Sequence, residues 1–168
     1  LRSVSLRYFN AAGDSFDSLI GEDWSVTTNL VPVVMKATLG KRDALEVFGD
    51  DYPTRDGTGI RDYIHVVDLA DAHVKALNYL TDGKPTTSCN VGTGKGTTVL
   101  EVIQATERIS GRQVPYVMSP RRAGDPIEVY ADPTFAAQTL GWHAQYSLDD
   151  IIATAWQWHS THIEGYAK

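Results

Sequence analysis

The chain carries one cysteine in 168 residues, Cys89. No intrachain disulfide can form, and the composition fits a reducing, cytoplasmic compartment. No apolar stretch approaches the ~20 residues of a bilayer-spanning helix. The opening residues lack the cationic, apolar, small-residue order of a secretory signal. They also lack an initiator methionine: the chain opens at Leu1, on the approach to a strand, and reads as a piece of a longer protein. Excess positive charge is missing as well. A formal net charge of −6 argues against a nucleic-acid or anionic-membrane partner, whose recognition needs clustered cations. A small anionic ligand stays open, provided a few arginines converge in one cleft. The histidines show no ligand spacing with a cysteine or carboxylate cluster, so no metal is expected, and His159-x-x-His162 reads as a solvent-facing pair at a frayed helix end. Internal repeats and low-complexity linkers are absent.

What remains is an ordinary globular composition, 42% hydrophobic, in a chain long enough for one core. Val4–Phe9 reads as a short strand and residues 11–25 as a loop. A helix is predicted at about 30–39, with Asn29 as N-cap, Pro32 in its first turn and Gly40 at its stop. Leu45–Phe48 and Tyr63–Val66 read as strands. Asp68 is the expected cap of a helix with Leu69, Ala72, Ala76, Leu77 and Leu80 on one face. Ser88–Val91 is a strand, with Cys89 as a small core residue. Thr98-Val-Leu-Glu101 is a capping box that opens a helix ending at Gly111. Val114–Val117 and Glu128–Tyr130 are expected strands. Asp132-Pro133 opens a helix that Gly141 ends, and Ser147 opens the last one, striped by Leu148, Ile151, Ile152, Ala155 and Trp156. Strands and helices alternate, so the class is α/β.

Gly92-x-Gly94-x-Gly96 follows a strand and precedes a helix, but its spacing is not that of the dinucleotide fingerprint. It reads as a tight turn. The most informative run is Val47 to His73, VFGDDYPTRDGTGIRDYIHVVDLADAH. By spacing alone, Arg61-Asp62 reads as an exposed ion pair capping a turn. An arginine at that junction also offers a planar, always-charged fork for phosphate or carboxylate.

The whole run resembles the UDP-galactose 4-epimerase (UDP-glucose 4-epimerase) family of the extended short-chain dehydrogenases/reductases. Leu6–Gly13 (LRYFNAAG), Ile20–Asp23, Asn90–Gly94, Arg121–Asp125, Ala131–Pro133 and Leu140–Trp142 stand in that family's order, as does the closing 151–159 stretch. The resemblance covers essentially the entire chain. The DYPTRDGTG insertion is its most specific element.

The resemblance implies an α/β, carboxyl-terminal, substrate-binding portion over residues 1–168, with 1–14 and about 126–132 as strands of a Rossmann sheet shared with a missing amino-terminal half. NAD would be the cofactor, bound mainly by that half, with Tyr8 near the nicotinamide end. A UDP-sugar would be held by this half. Asn10 would contact the diphosphate and sugar region, and Asn29 with Leu30 would present a helix start to the diphosphate. Arg61 and Arg122 would clamp it. Tyr63 would lie near ribose or phosphate, and Asp125 would accept from ribose hydroxyls. Glu46–Phe48 would pair its backbone with the uracil edge, with Phe48 as an apolar wall. Arg121, beside Arg122, would point away and be structural. Val129 stands where glucose/galactose-restricted bacterial relatives often carry tyrosine, which implies room for UDP-N-acetylhexosamines.

The family's catalytic Tyr-x-x-x-Lys pair does not occur after any tyrosine of this chain, so no catalytic residue is assigned and the chain alone is expected to be inactive. A homodimer, packed through helices of the missing half, is implied for the full-length protein. Two alternatives stay open: the substrate-binding half of another extended reductase, such as a nucleotide-sugar decarboxylase or dehydratase, and a non-catalytic nucleotide-sugar-binding module.

Overall fold

The computed structural model describes residues 1–166 and has the expected α/β character. In chain order the elements are β1 (Val4–Tyr8), β2 (Asn10–Ala12), α1 (Leu30–Thr38), β3 (Leu45–Phe48), β4 (Ile60–Arg61), β5 (Tyr63–His65) and α2 (Val66–Thr81). β6 (Thr87–Val91), β7 (Thr97–Thr98), α3 (Val99–Ser110), β8 (Tyr116–Ser119), β9 (Glu128–Val129), α4 (Thr134–Leu140) and α5 (Leu148–Thr161) follow. Pairing is mostly parallel: β1 with β6, β2 with β5, β3 with β8 and β4 with β9, whereas β4 and β7 run antiparallel.

The β2–β5 pair divides the interior, because side chains alternate across a strand. Ala11 lies beside Ile64 in register, and both meet the cluster formed by Ala72, Cys89, Val91, Ala136 and Trp142. Ala12 and Tyr63 instead belong to the larger cluster built from α1, α3 and α5, with Val34, Met35, Val102, Ile103, Ile151 and Ile152 at its centre. Each such aliphatic side chain, fully buried, contributes roughly 1.5–3 kcal/mol.

Helix ends set by local chemistry fall where the sequence places them. Thr98 with Glu101 and Ser147 with Asp150 form complete capping boxes, and Gly111 and Gly141 close α3 and α4 in the left-handed conformation. At two other helix starts the capping chemistry differs from the expectation. Asn29 stands at the N-cap of α1 but makes no side-chain cap bond; its Nδ2 donates to Glu22 Oε1 instead. Asp68 is not a cap. His65 caps α2 by accepting from Val67 N, and Asp68, buried in the first turn, accepts from the backbone N–H groups of Gln145 and Tyr146. Leu77 is 63% exposed, so the buried face of α2 is Asp68, Ala72 and Ala76. Glu128–Val129 pairs with β4, not with β1.

His159 is also corrected: it is buried and stacked on Trp24 with ring centroids 4.4 Å apart, and is not solvent-facing. Trp24 comes from the loop after β2, which no local pattern in α5 announces. Burial pushes the His159 imidazole down from 6.5 to about 4, helped by the charges of Lys36 and His162. Burial acts on Asp14 in the opposite sense, raising its carboxyl from 3.8 to about 6 against a lowering hydrogen bond from Glu22 N–H.

These two groups oppose one another in acid. Folded Asp14 keeps a proton that the unfolded chain releases, so its contribution falls as pH rises from about 4 to about 6. Folded His159 refuses a proton that the unfolded chain takes up, so its contribution falls as pH drops from 6.5 towards about 4. Asp14→Asn removes the first slope and unmasks the second. Urea denaturation of the chain between pH 6.5 and 4 is expected to show the variant losing about 2–3 kcal/mol more than the parent over that span.

Candidate functional site

Arg61, Asp62 and Tyr63 are consecutive extended residues, so Arg61 and Tyr63 project to one side and Asp62 to the other. The Asp62 carboxylate is fully buried. Its Oδ1 accepts from Thr93 N at 3.0 Å and Thr93 Oγ1 at 2.6 Å, and its Oδ2 from Gly94 N and Ala131 N, each at 3.1 Å. The Gly92–Gly96 turn is therefore an anion cradle, and its anion is the protein's own carboxylate. A Cβ on Gly92 would meet Asp62 Oδ2 at 2.5 Å, which is why that position is glycine. This overturns the reading of Asp62 as half of an exposed ion pair.

On the opposite side lies a cavity of about 310 Å³, lined by Arg61 and Tyr63 together with Asn10, Leu30 and Gly59. β3 supplies Glu46, Val47 and Phe48 to it, and the segment after β8 supplies Arg122 and Asp125. A second cavity of about 240 Å³ adjoins it, sharing Asn10, Leu30 and Tyr63 and adding Tyr8 and Asn29. Residues far apart in sequence thus converge at one site. Val129 lines neither cavity; it sits in register with Arg61 across β4–β9, half-buried.

Arg61 is held in place by the protein's own groups. Its Nη2 donates to Asp125 Oδ1 at 3.0 Å, and Nη1 donates to the carbonyls of Ile60 and Pro126 at 2.8 and 3.0 Å. Arg122 differs. Its guanidinium lies 3.9 Å from the Phe48 ring centroid, and among the described residues no carboxylate comes within ion-pair distance of it. A cation spread flat on an aromatic face keeps its N–H edge available to an anion.

Asn10 is set beside Tyr63 by the β2–β5 register, and its N–H donates to the Asp62 carbonyl at 2.9 Å. Burial raises the Tyr63 phenol above its ordinary range despite the nearby Arg61 charge, so it stays neutral. The N-terminus of α1 borders the second cavity with no acidic residue in its first turn, and the carboxylate nearest its N-cap is Glu22, held by Asn29 and Thr27.

Several lining residues escape sequence reasoning: Arg42, Tyr52, Thr27, Val33 and Val99. Arg42 donates to the Ala44 carbonyl at 2.8 Å and pairs with Glu46 at 3.3 Å. Only its position four residues before Glu46 could have signalled it. Arg121 turns away from the cavity to Asp51. Among the described residues no group of three or more His, Cys, Asp or Glu side chains could hold a metal, and no helix is long and apolar enough to cross a membrane.

The family model described as GDP-mannose 4,6 dehydratase matches residues 1–155. The chain belongs to this family. Within it, the chain is 47% identical to the UDP-glucose 4-epimerase of Lacticaseibacillus casei over 99% of its own length and 50% of that protein's. It is 49% identical to the UDP-glucose 4-epimerase of Rhizobium meliloti, over 98% of this chain and 50% of the relative. The fold matches the crystal structure of the Stenotrophomonas maltophila UDP-glucose 4-epimerase, bound to NAD and formylated UDP-arabinopyranose, with a TM-score of 0.95 and 44% identity. That match covers 99% of this chain and 50% of the other. The chain therefore spans about half the length of the relatives it matches.

Because Asp62 gathers three segments behind the cavity, Asp62→Ala leaves its buried donors unpaired. A loss of about 3–5 kcal/mol is expected in urea denaturation, with Asp62→Asn intermediate. A loss below about 1 kcal/mol would contradict the buried-anion account.

Proposed function

We propose that this chain is the carboxyl-terminal, substrate-binding half of an NAD-dependent UDP-glucose 4-epimerase, and that its cavity holds the UDP portion of the substrate. The observation that carries the reading is the Arg122 guanidinium over Phe48 in the same cavity as the pre-oriented Arg61. Two cations and an aromatic wall in one cleft suit a diphosphate attached to a base. The high identity to proteins named UDP-glucose 4-epimerase supports it.

In this reading Arg61 and Arg122 hold the diphosphate through charge-assisted hydrogen bonds, roughly twice as strong as neutral ones. Asn29 and Leu30 offer the start of α1 to the same anion. β3 pairs with β8 on one side only among the described residues, which leaves the Glu46–Phe48 backbone free to meet the uracil edge. Asp125 uses Oδ1 for Arg61 and keeps Oδ2 for ribose hydroxyls. Asn10 reaches the diphosphate and sugar region, and Tyr63 lies near the ribose or phosphate. Anchoring the non-reacting UDP lets the hexose turn while its reacting carbon stays in place.

The chain's own residues do not furnish a dinucleotide loop, since Asp62 fills its glycine-rich turn. Tyr8, half exposed at the end of β1, is the one described residue we assign to contact with NAD. NAD, when bound by the other half, would supply reversible oxidation at the sugar C4. The unpaired edge of β1 and the exposed Val74 and Leu77 of α2 would face that half. The Tyr-x-x-x-Lys pair would come from the same half, as would the helices of a homodimer interface. A cytoplasmic location follows from this chemistry.

The deciding assay is turnover of UDP-galactose by the polypeptide that carries this chain, with UDP-glucose as the expected product. A dehydrated or decarboxylated product would favour another extended reductase. No turnover, in a polypeptide that still binds UDP, would favour a binding module. For the chain alone, calorimetry is expected to show weak UDP binding and no NAD binding. Val129, beside Arg61, would set the room for the sugar: Val129→Tyr is expected to lower UDP-N-acetylglucosamine turnover at least tenfold with UDP-galactose turnover retained, and unchanged turnover would remove this role.

A further inference from the structure

Residues 120–127, between β8 and β9, have no regular structure and carry Arg122 and Asp125 along the cavity. Such a segment positions a charged side chain only as well as its ends are fixed. Its far end is fixed by Arg61, which donates to Asp125 and to the Pro126 carbonyl. Its near end leaves β8 at Ser119, whose carbonyl accepts from Gly49 N–H at 2.8 Å, and is tied a second time at Arg121. The Arg121 guanidinium donates from Nε to Asp51 Oδ1 at 2.6 Å and from Nη2 to the Asp51 carbonyl at 2.5 Å. The same guanidinium lies 4.2 Å from the Tyr52 ring centroid. Tyr52 is 6% exposed and lines the cavity. At Gly49 an added Cβ would meet the Tyr52 ring at 2.4 Å and Arg121 Cγ at 2.9 Å, so the loop is closed tightly around this contact.

The platform beneath Arg121 is itself rigidly attached. Tyr52 N–H donates to the Gly57 carbonyl at 2.9 Å, Arg55 pairs with Glu101 and donates to the Gly96 carbonyl, and Asp56 accepts from the Thr98 hydroxyl at the start of α3. The insertion after β3 thus runs from the α3 cap to Arg121, one residue from Arg122.

We infer that Arg121 and Asp51 are positioning residues that set the register of Arg122 on the diphosphate of the bound nucleotide. The inference rests on the UDP-site reading above. Exposed ion pairs contribute little to stability, and both partners here are partly exposed, at 42% and 70%. Their consequence belongs in ligand affinity and not in melting temperature. It belongs to the diphosphate and not to the base, because Phe48 and the β3 edge are held by β8 pairing and not by Arg121.

The test uses the polypeptide that carries this chain and compares Arg121→Met, Asp51→Asn and the double variant. UDP affinity is read by calorimetry, uridine affinity by NMR titration, and folding by thermal melting. Each single change is expected to weaken UDP about tenfold with uridine affinity and melting temperature unchanged, and the double variant is expected to match the weaker single one, as a shared contact requires. Unchanged UDP affinity overturns the inference, as does equal weakening of UDP and uridine, which would mark a merely structural role. If Arg121→Met melts early, the milder Asp51→Asn decides by the same two affinities. A parent that binds no UDP overturns the site reading itself, and the inference with it.

Discussion

The buried carboxylate of Asp62 is the interaction on which the other placements depend. A desolvated anion is costly unless its lone pairs are filled. Here they are filled by the Gly92–Gly94 turn and by Ala131, which arrive from after β6 and after β9. Satisfying that one group brings β5, the glycine turn and the approach to α4 to a common point. It also fixes which way its neighbours face. With Asp62 turned inward, Arg61 and Tyr63 must turn toward the cavity, since adjacent extended residues alternate. The cavity-facing side of the run is thus specified by a residue that lines neither cavity.

The same logic explains why the glycine turn holds no cofactor phosphate. Backbone N–H groups in a tight, side-chain-free turn attract an anion whatever its source. Here the anion is the protein's own carboxylate, and the Cβ contacts that would arise at Gly92 show how closely it fits. The turn is thus not free to serve as a dinucleotide loop, and the chain spans about half the length of its relatives.

How much was legible in the sequence depended on how far the determining partner lies along the chain. Thr98-x-x-Glu101, Ser147-x-x-Asp150, Gly111 and Gly141 are complete within one turn, and they set helix ends as expected. Asp68 looked like a cap because its true partners, the N–H groups of Gln145 and Tyr146, lie far along the chain. His159 looked exposed because Trp24 arrives from a distant loop. In the site, Asn10, Leu30, Phe48, Arg61, Tyr63, Arg122 and Asp125 were named from motifs and share a cavity. Arg42 lies outside every such motif, Tyr52 lies within DYPTRDGTG but was given no role there, and Val129, though named, lies outside the lining.

Net charge is a poor guide to what such a site can hold. The chain is acidic at −6, yet its main cavity is bordered by Arg42, Arg61 and Arg122 against Glu46 and Asp125. Glu46 and Asp125 each take one arginine, so the cation left over is the one lying on Phe48. An anion entering the cleft therefore meets one uncommitted guanidinium and one whose orientation is already set by Asp125. It does not meet a general positive field, which a chain of this charge could not sustain at a distance beyond the ~8–10 Å screening length. Affinity must then come from geometry at short range. That makes the fixing of a two-ended, irregular segment matter more to recognition than the count of its charges.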